Sequence, residues 1–211
     1  MGKSALVLGA TGVVGRELVR ELCESPGYDE VEVWTRREIG FCRPKLRARI
    51  IDFEGISDIA PHKFDEIFCA LGTTMKQAGS REAFLRVDVD YVYAAAKWGK
   101  AVGVQRFVLV SALGASEGSP SFYLRAKGQI ERRVSKLSFD SLQIVRPPLI
   151  LGERPDARLL ERLAAAVFKL LLVCVLGKFK PLSGASIARA MINAARSDAR
   201  GVQIYEPREF L

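Results

Sequence analysis

The chain has 211 residues, 49% hydrophobic and 27% charged, the balance of a globular domain rather than a disordered, collagen-like or disulfide-scaffold chain. Its net charge of +8 is local: residues 36–49 carry six Lys/Arg against one Glu, and residues 153–180 carry six against three. That pattern fits one or two anionic contacts and argues against the uniform basic coat of a nucleic-acid binder.

At the start, a short apolar run flows into a glycine-rich turn with no signal-peptide cleavage site. The sixth residue is Leu6 where a myristoylation signal wants Ser or Thr. Residues 5–8 read as a strand. Val14, Leu18 and Leu22 repeat at i, i+4 and i+8, one apolar stripe of a helix over 13–23. Between them stands Gly9-Ala10-Thr11-Gly12-Val13-Val14-Gly15. Gly9 permits the tight turn, Gly12 lets backbone approach a pyrophosphate, and Gly15 lets helix pack close to strand. The helix start offers free N–H groups to the phosphates. The spacing is G-x-x-G-x-x-G rather than G-x-G-x-x-G, and its place between a first strand and an amphipathic helix carries the signal. Gly9, Thr11, Gly12, Val13, Val14 and Gly15 are the expected phosphate contacts.

A second strand covers 31–35 and ends in Arg36-Arg37, where an NAD-specific protein would place an acid on the ribose hydroxyls. Two guanidiniums suit a 2′-phosphate instead, so NADP(H) is expected over NAD(H). A third strand is predicted over 49–52. Asp52 would either accept from an adenine amino group, with Phe53 beside the ring, or cap a turn. His62, the single histidine, lies in a turn-like Ala60-Pro61-His62-Lys63 stretch. It cannot build a His-based metal site alone, and no metal is expected. A fourth strand, 66–70, runs into Leu71-Gly72-Thr73-Thr74. There Gly72 would let the backbone pass against the cofactor ribose, with Leu71 and Thr73 beside it.

A helix is predicted over 82–102. Its Asp88 could place a water, brace Lys127 or serve as a structural carboxylate. A fifth strand, 106–111, ends in Ser111. Twelve residues on, Tyr123 opens a Y-x-x-x-K with Lys127 on a helix over 123–137, so phenol and ammonium share one face. A free tyrosine titrates near ~10. A fixed cation favours the phenolate, which can then exchange a proton with a carbonyl or alcohol oxygen. Ser111 can hydrogen-bond the same oxygen, and Lys127 can also hold the nicotinamide ribose. Strands at 141–145 and 202–205 and helices at 157–176 and 187–195 complete the pattern, with Ser186 the expected cap of the last helix. Strands alternating with helices imply a doubly wound parallel sheet covered on both faces.

Together the glycine loop, Gly72 to Val92, the Ser111/Tyr123/Lys127 set and Arg146-Pro147-Pro148 resemble the atypical or extended branch of the short-chain dehydrogenase/reductase superfamily. They resemble more closely its Tat-interacting-protein, oxidoreductase-like family, in a bacterial-looking form. The resemblance spans nearly the whole chain. It implies a single NADPH-binding Rossmann domain over 1–211, with residues 149–211 forming a small C-terminal, substrate-side extension, and with Pro147 on the nicotinamide side. It leaves the substrate open, since members are linked to regulation and protein partners as well as to redox chemistry. Two residues depart from the pattern: Asp88 stands where many members have Asn, and Pro148 where Gly is common.

The 157–176 helix is apolar on most sides. It could wall a pocket, form a homodimer or partner surface, or lie on a membrane. The longest apolar run, 163–176, contains Lys169 and is shorter than the roughly 20 residues of a bilayer span, so no transmembrane segment is expected. Cys23, Cys42, Cys69 and Cys174 form no C-x-x-C, which fits a reducing compartment and a cytoplasmic protein. The expected function is an NADP(H)-dependent oxidoreductase acting on a small carbonyl or alcohol. The alternative is an NADPH-binding regulatory or interaction module without significant turnover. No nucleic-acid partner is expected.

Overall fold

The computed structural model describes residues 2–148, 150–151 and 182–207. Its strands are β1 (Lys3–Leu8), β2 (Tyr28–Thr35), β3 (Leu46–Ile50), β4 (Glu66–Cys69), β5 (Arg106–Val110), β6 (Ser141–Val145), β7 (Ile150–Leu151), β8 (Leu182–Ser183) and β9 (Gly201–Tyr205). Seven of them form one sheet in the order β3-β2-β1-β4-β5-β6-β9, every pair parallel. β7 and β8 pair separately. Parallel strands need covered faces, and the inner strands are accordingly apolar on both sides: Leu6, Val7, Phe68 and Val108 are all inaccessible to solvent.

Alternation along β1 divides the core. Ala5 and Val7 face one layer with Val19, Leu22, Ile187 and Met191. That layer is formed by helices α1 (Val13–Glu24) and, later in the chain, α6 (Gly184–Arg196). Leu6 and Leu8 face the other, with Trp34, Phe84, Trp98, Phe107 and Ile130. It holds α2 (Met75–Ala78), α3 (Arg81–Leu85), α4 (Val92–Ala101) and α5 (Phe122–Ser135). This is the expected Rossmann-type α/β architecture. At the amino ends of the strands, buried Glu66 accepts from Tyr28 Oη at 2.6 Å, Lys3 Nζ at 2.6 Å and Arg106 at 3.0 Å. Arg106 continues to the carbonyl of Ser197 at 3.0 Å. Burial first, and Glu66 second, push the Tyr28 phenol well above its ordinary range, so the tyrosine keeps its proton.

Some boundaries differ from the sequence reading. The third strand lies at Leu46–Ile50 rather than 49–52, because it pairs Leu46 with Val31 through to Ile50 with Thr35. As an edge strand it is mostly exposed and carries no buried apolar run to mark it. The predicted 82–102 helix is interrupted by a π-helical turn over Arg86–Tyr91. The last helix is capped by Ser183, whose Oγ accepts from the Ser186 N–H at 3.1 Å, so Ser186 is the capped residue and not the cap. The 157–176 helix lies outside the described residues.

Helix α1 meets β1 through a backbone contact that tolerates no side chain. Gly9 adopts φ +85°, and a Cβ on Gly15 would collide with the Gly9 carbonyl oxygen. Gly15→Ala is therefore expected to lower unfolding free energy by about 1–3 kcal/mol, the usual range for overpacking. The measurement is a urea midpoint, and an unchanged midpoint would refute the contact.

Candidate active site

Register aligns the carboxyl ends of the central strands. Leu8 pairs with Cys69, and Cys69 with Leu109. From β1 the chain builds β2 and β3 to one side and β4, β5 and β6 to the other. The crevice over the β1/β4 ends is the topological switch point, where ligands of open α/β sheets bind.

One wall is the glycine loop. Gly12 N donates to Gly9 O at 3.0 Å, closing the turn. Gly12 is the N-cap of α1 and supplies no side-chain cap, so the first-turn N–H groups are left for a ligand. Thr11, Gly12 and Val13 are exposed, whereas Val14 and Gly15 are buried and can contribute backbone only. Beyond Gly12 a Cβ would meet nothing nearer than Gly9 O at 3.4 Å, an open cradle of the kind a pyrophosphate needs. Arg36 and Arg37 follow β2 directly and are exposed. Among the described residues, neither guanidinium is engaged in an ion pair.

Of the two readings weighed for Asp52, the turn cap is present. Asp52 caps the 3₁₀ turn Phe53–Asp58, its Oδ1 accepting from Glu54 N at 3.0 Å. Phe53 is buried and tilted against Tyr91, ring centroids 5.5 Å apart. The turn after β3 draws the phenyl ring into the core, and it presents no open face to a base.

The other wall holds the chemistry. Tyr123 lies in the first turn of α5, 39% exposed, with its ring edge-on to Phe84. Lys127, one turn on, is buried, its Nζ 5.8 Å from the Tyr123 ring centroid. The ammonium pairs with Asp88 Oδ1 at 2.7 Å. Asp88 Oδ2 accepts from the Thr73 N–H at 2.7 Å. Gly72 passes directly above, and a Cβ there would sit 3.1 Å from Asp88 Oδ1 and 3.7 Å from Lys127 Nζ. Tyr123, Lys127, Asp88, Gly72 and Thr73 thus form one cluster. Ser111 stands one residue past β5, its N–H on Val145 O at 2.8 Å. Its Oγ is buried and has no hydrogen-bond partner among the described residues, so no bond joins it to Tyr123. Leu113 N donates to the buried Pro147 carbonyl at 2.9 Å, linking the segments after β5 and β6.

Burial pulls the Lys127 ammonium down. Asp88 first and Tyr123 next outweigh it, and the ammonium ends above its ordinary value. Cys69, on the strand below, is pushed up to about 12 by burial, against the opposing pull of a Leu71 backbone hydrogen bond and Lys127. It stays a thiol and is no nucleophile. One contact had escaped the sequence reading. Arg146 makes two hydrogen bonds to the buried Glu131 carboxylate, 3.0 and 2.7 Å, and so ties the Pro147 segment to α5. Glu131 lies four residues after Lys127 on the same helix, the only signal that could have pointed to it.

Comparison with known proteins gives the family and the fold. A family profile described as NAD(P)H-binding matches residues 9–166. The chain is 36% identical over 219 residues to the mitochondrial protein FMP52-1 of Scheffersomyces stipitis, covering 98% of this chain and 96% of that one. It is 37% identical over 171 residues to protein HTATIP2 of Rattus norvegicus, covering 79% and 70% respectively. The Bordetella bronchiseptica enzyme WbmH, solved in complex with NAD+, superposes with a TM-score of 0.70 at 14% identity, over 98% of this chain and 76% of that one. The fungal relatives are named mitochondrial, which overturns the expectation of a plainly cytoplasmic protein. Cellular address is read by receptors from short signals, and the composition and cysteine pattern of a cofactor-binding core do not encode it. Among the described residues, no helix is long and apolar enough to cross a membrane.

Two shifted groups of this site shape the alkaline stability profile, together with the Tyr28 phenol that burial and Glu66 hold well above its ordinary range. Cys69 keeps its proton in the fold to about 12, whereas an unfolded thiol loses it near ~8.5, so stability falls as pH rises above that value. The raised Lys127 value contributes stability that is fully present below ~10.5 and lost as pH climbs through the folded value. A thermal midpoint declining from about pH 9 upward, with Cys69→Ala flattening the first part, is the expected result. A flat wild-type profile would contradict it.

Proposed function

We propose, because this chain belongs to the NAD(P)H-binding family and is an atypical member of the short-chain dehydrogenase/reductase superfamily, that it is an NADP(H)-dependent oxidoreductase acting on a small carbonyl or alcohol. The observation that carries the reading is Tyr123 exposed over a buried, charged Lys127, beside an uncapped glycine-loop helix at the switch point. Hydride exchange is the chemistry that a bound nicotinamide supplies.

The chain's own residues do the rest. The first-turn N–H groups of α1 and the turn at Gly9–Gly12 hold the pyrophosphate. Arg36 and Arg37 hold the 2′-phosphate and select NADP(H). Leu71, Gly72 and Thr73 line the ribose side, and Pro147 closes the nicotinamide side. Tyr123 gives a proton to the carbonyl oxygen, or takes it from the alcohol, at its phenolic oxygen. Lys127 stabilises the phenolate and reaches the ribose. The buried Ser111 Oγ, without a partner among the described residues, has a free hydroxyl for the substrate oxygen, and it supports a role in orienting that oxygen and stabilising its developing charge.

Two measurements test this. Arg36→Ala is expected to weaken NADPH binding about 10- to 100-fold, the cost of a charge-assisted hydrogen bond, and to leave NADH binding nearly unchanged. Equal loss for both would refute the phosphate clamp. Tyr123→Phe is expected to lower NADPH-dependent turnover on aldehydes, ketones or quinones about 10²- to 10⁴-fold. Tight NADPH binding with no turnover on the panel, or turnover that ignores the substitution, would favour a dinucleotide-binding regulatory module.

A further inference from the structure

The seven-stranded sheet ends on two unlike edges. At one, β3 carries Arg47 and Arg49, both exposed, charges of the kind that keep a foreign strand off an open edge. At the other, β9 (Gly201–Tyr205) holds neither charge nor proline and runs beside β6 in unbroken register. Gly201 N donates to Asp140 O at 2.8 Å, and Arg146 N to Tyr205 O at 2.9 Å. Backbone groups alternate in direction along a strand, so Gly201, Gln203 and Tyr205 direct theirs to β6, and Val202 and Ile204 point theirs outward. The Val202 and Ile204 side chains share one face, beside Ala115 and Ile144, and are 46% and 42% exposed. Among the described residues, no strand pairs with this edge.

The sequence itself points to the occupant. Arg200-Gly201-Val202-Gln203-Ile204-Tyr205-Glu206 is complementary to its own reverse. With two copies antiparallel about a two-fold axis at Gln203, Arg200 faces the partner's Glu206, Gly201 faces the partner's Tyr205, and Val202 faces the partner's Ile204. Each pair occurs twice. Opposite charges, an aromatic ring beside an edge glycine and two β-branched side chains are favourable cross-strand neighbours. The backbone agrees with this register. Val202 and the partner's Ile204 both point outward, so they exchange two hydrogen bonds, and symmetry supplies two more. Moving the axis to Val202 would set Arg200 against the partner's Ile204 and Asp198 against the partner's Glu206. Moving it to Ile204 would set Val202 against the partner's Glu206. Both shifts lose the ion pairs. Arg200 is exposed and in no ion pair among the described residues, and the Glu206 side chain is 50% exposed beside Arg146. We propose that β9 is a homodimerisation edge, on which a second copy of this chain lays its own β9 antiparallel and joins the two sheets into one. The inference is independent of the oxidoreductase reading, and turnover or its absence does not bear on it.

Sedimentation velocity of the full chain over about a hundredfold range of concentration is expected to show a monomer–dimer equilibrium. Arg200→Glu sets like charges at both ends of the contact and should weaken dimerisation at least about tenfold. Arg200→Glu/Glu206→Arg restores opposite charges and should recover it to within about threefold. A second readout is covalent. Gln203 meets its own copy in a pair without backbone hydrogen bonds, with Cα atoms about 4.5 Å apart, within disulfide reach. In a background where the exposed Cys42 is replaced by Ser, Gln203→Cys is expected to form a linked dimer under mild oxidation that its parent does not. Val202→Cys, set against the partner's Ile204, should link poorly. A monomer at every concentration overturns the proposal. So does a dimer that ignores both charge variants and leaves Gln203→Cys unlinked, because its contact then lies elsewhere. Linking at Val202→Cys in preference to Gln203→Cys overturns the register and the charge pairing with it.

Discussion

Strand register is the constraint on which the carboxyl edge of this molecule depends. Leu8, Cys69 and Leu109 are level across three parallel strands, so the glycine turn, the loop after β4 and Ser111 leave the sheet on one rim. A one-residue slip would reverse every side chain of the slipped strand. Glycine turn, loop after β4 and Ser111 would then face different layers. The packing of α1 and α6 on one face and α3 to α5 on the other holds that register, because each of these three strands has apolar residues committed to both sides.

On this rim two interactions of different character meet. At the glycine loop the helix end is left open: no side chain caps α1, and the free donors are a standing attraction for an anion. At α5 the reverse holds. The Lys127 charge is fully matched inside the chain, by a carboxylate that is matched in turn by a backbone N–H. Breaking such a buried pair from one side costs about 3–5 kcal/mol in other proteins. One wall is thus built to receive a ligand, and the other is finished before any ligand arrives.

Much of the fold was legible because parallel strands and their crossover helices write strong periods. Short apolar runs marked β1, β4 and β5, and the stripe Val14, Leu18 and Leu22 marked α1. The edge strand β3 was displaced by several residues because its side chains are mostly exposed and leave no such run. Ser183 and Ser186 are both good caps by composition, and only the helix start chosen by packing decides between them. At the site, the Tyr123/Lys127 spacing was legible as an i, i+4 pair. The Asp88–Lys127 contact was one reading among three, since a separation of 39 positions along the chain carries no distance information. An aromatic beside a strand end can face a crevice or the core, and the 3₁₀ turn it opens turns Phe53 inward.

The buried Glu66 cluster at the opposite end of the sheet bears on how the chain avoids mispairing. Three donors, from β1, β2 and β5, converge on one carboxylate of β4. A neighbouring strand docked out of step would strand an anion in an apolar layer, and no rotamer could rescue it. Hydrophobic packing alone is forgiving among Val, Ile and Leu, so a sheet of such strands has near-equivalent wrong alignments. A single acid with three fixed partners makes the wrong ones unfavourable, and it does so as far from the crevice as the strands allow.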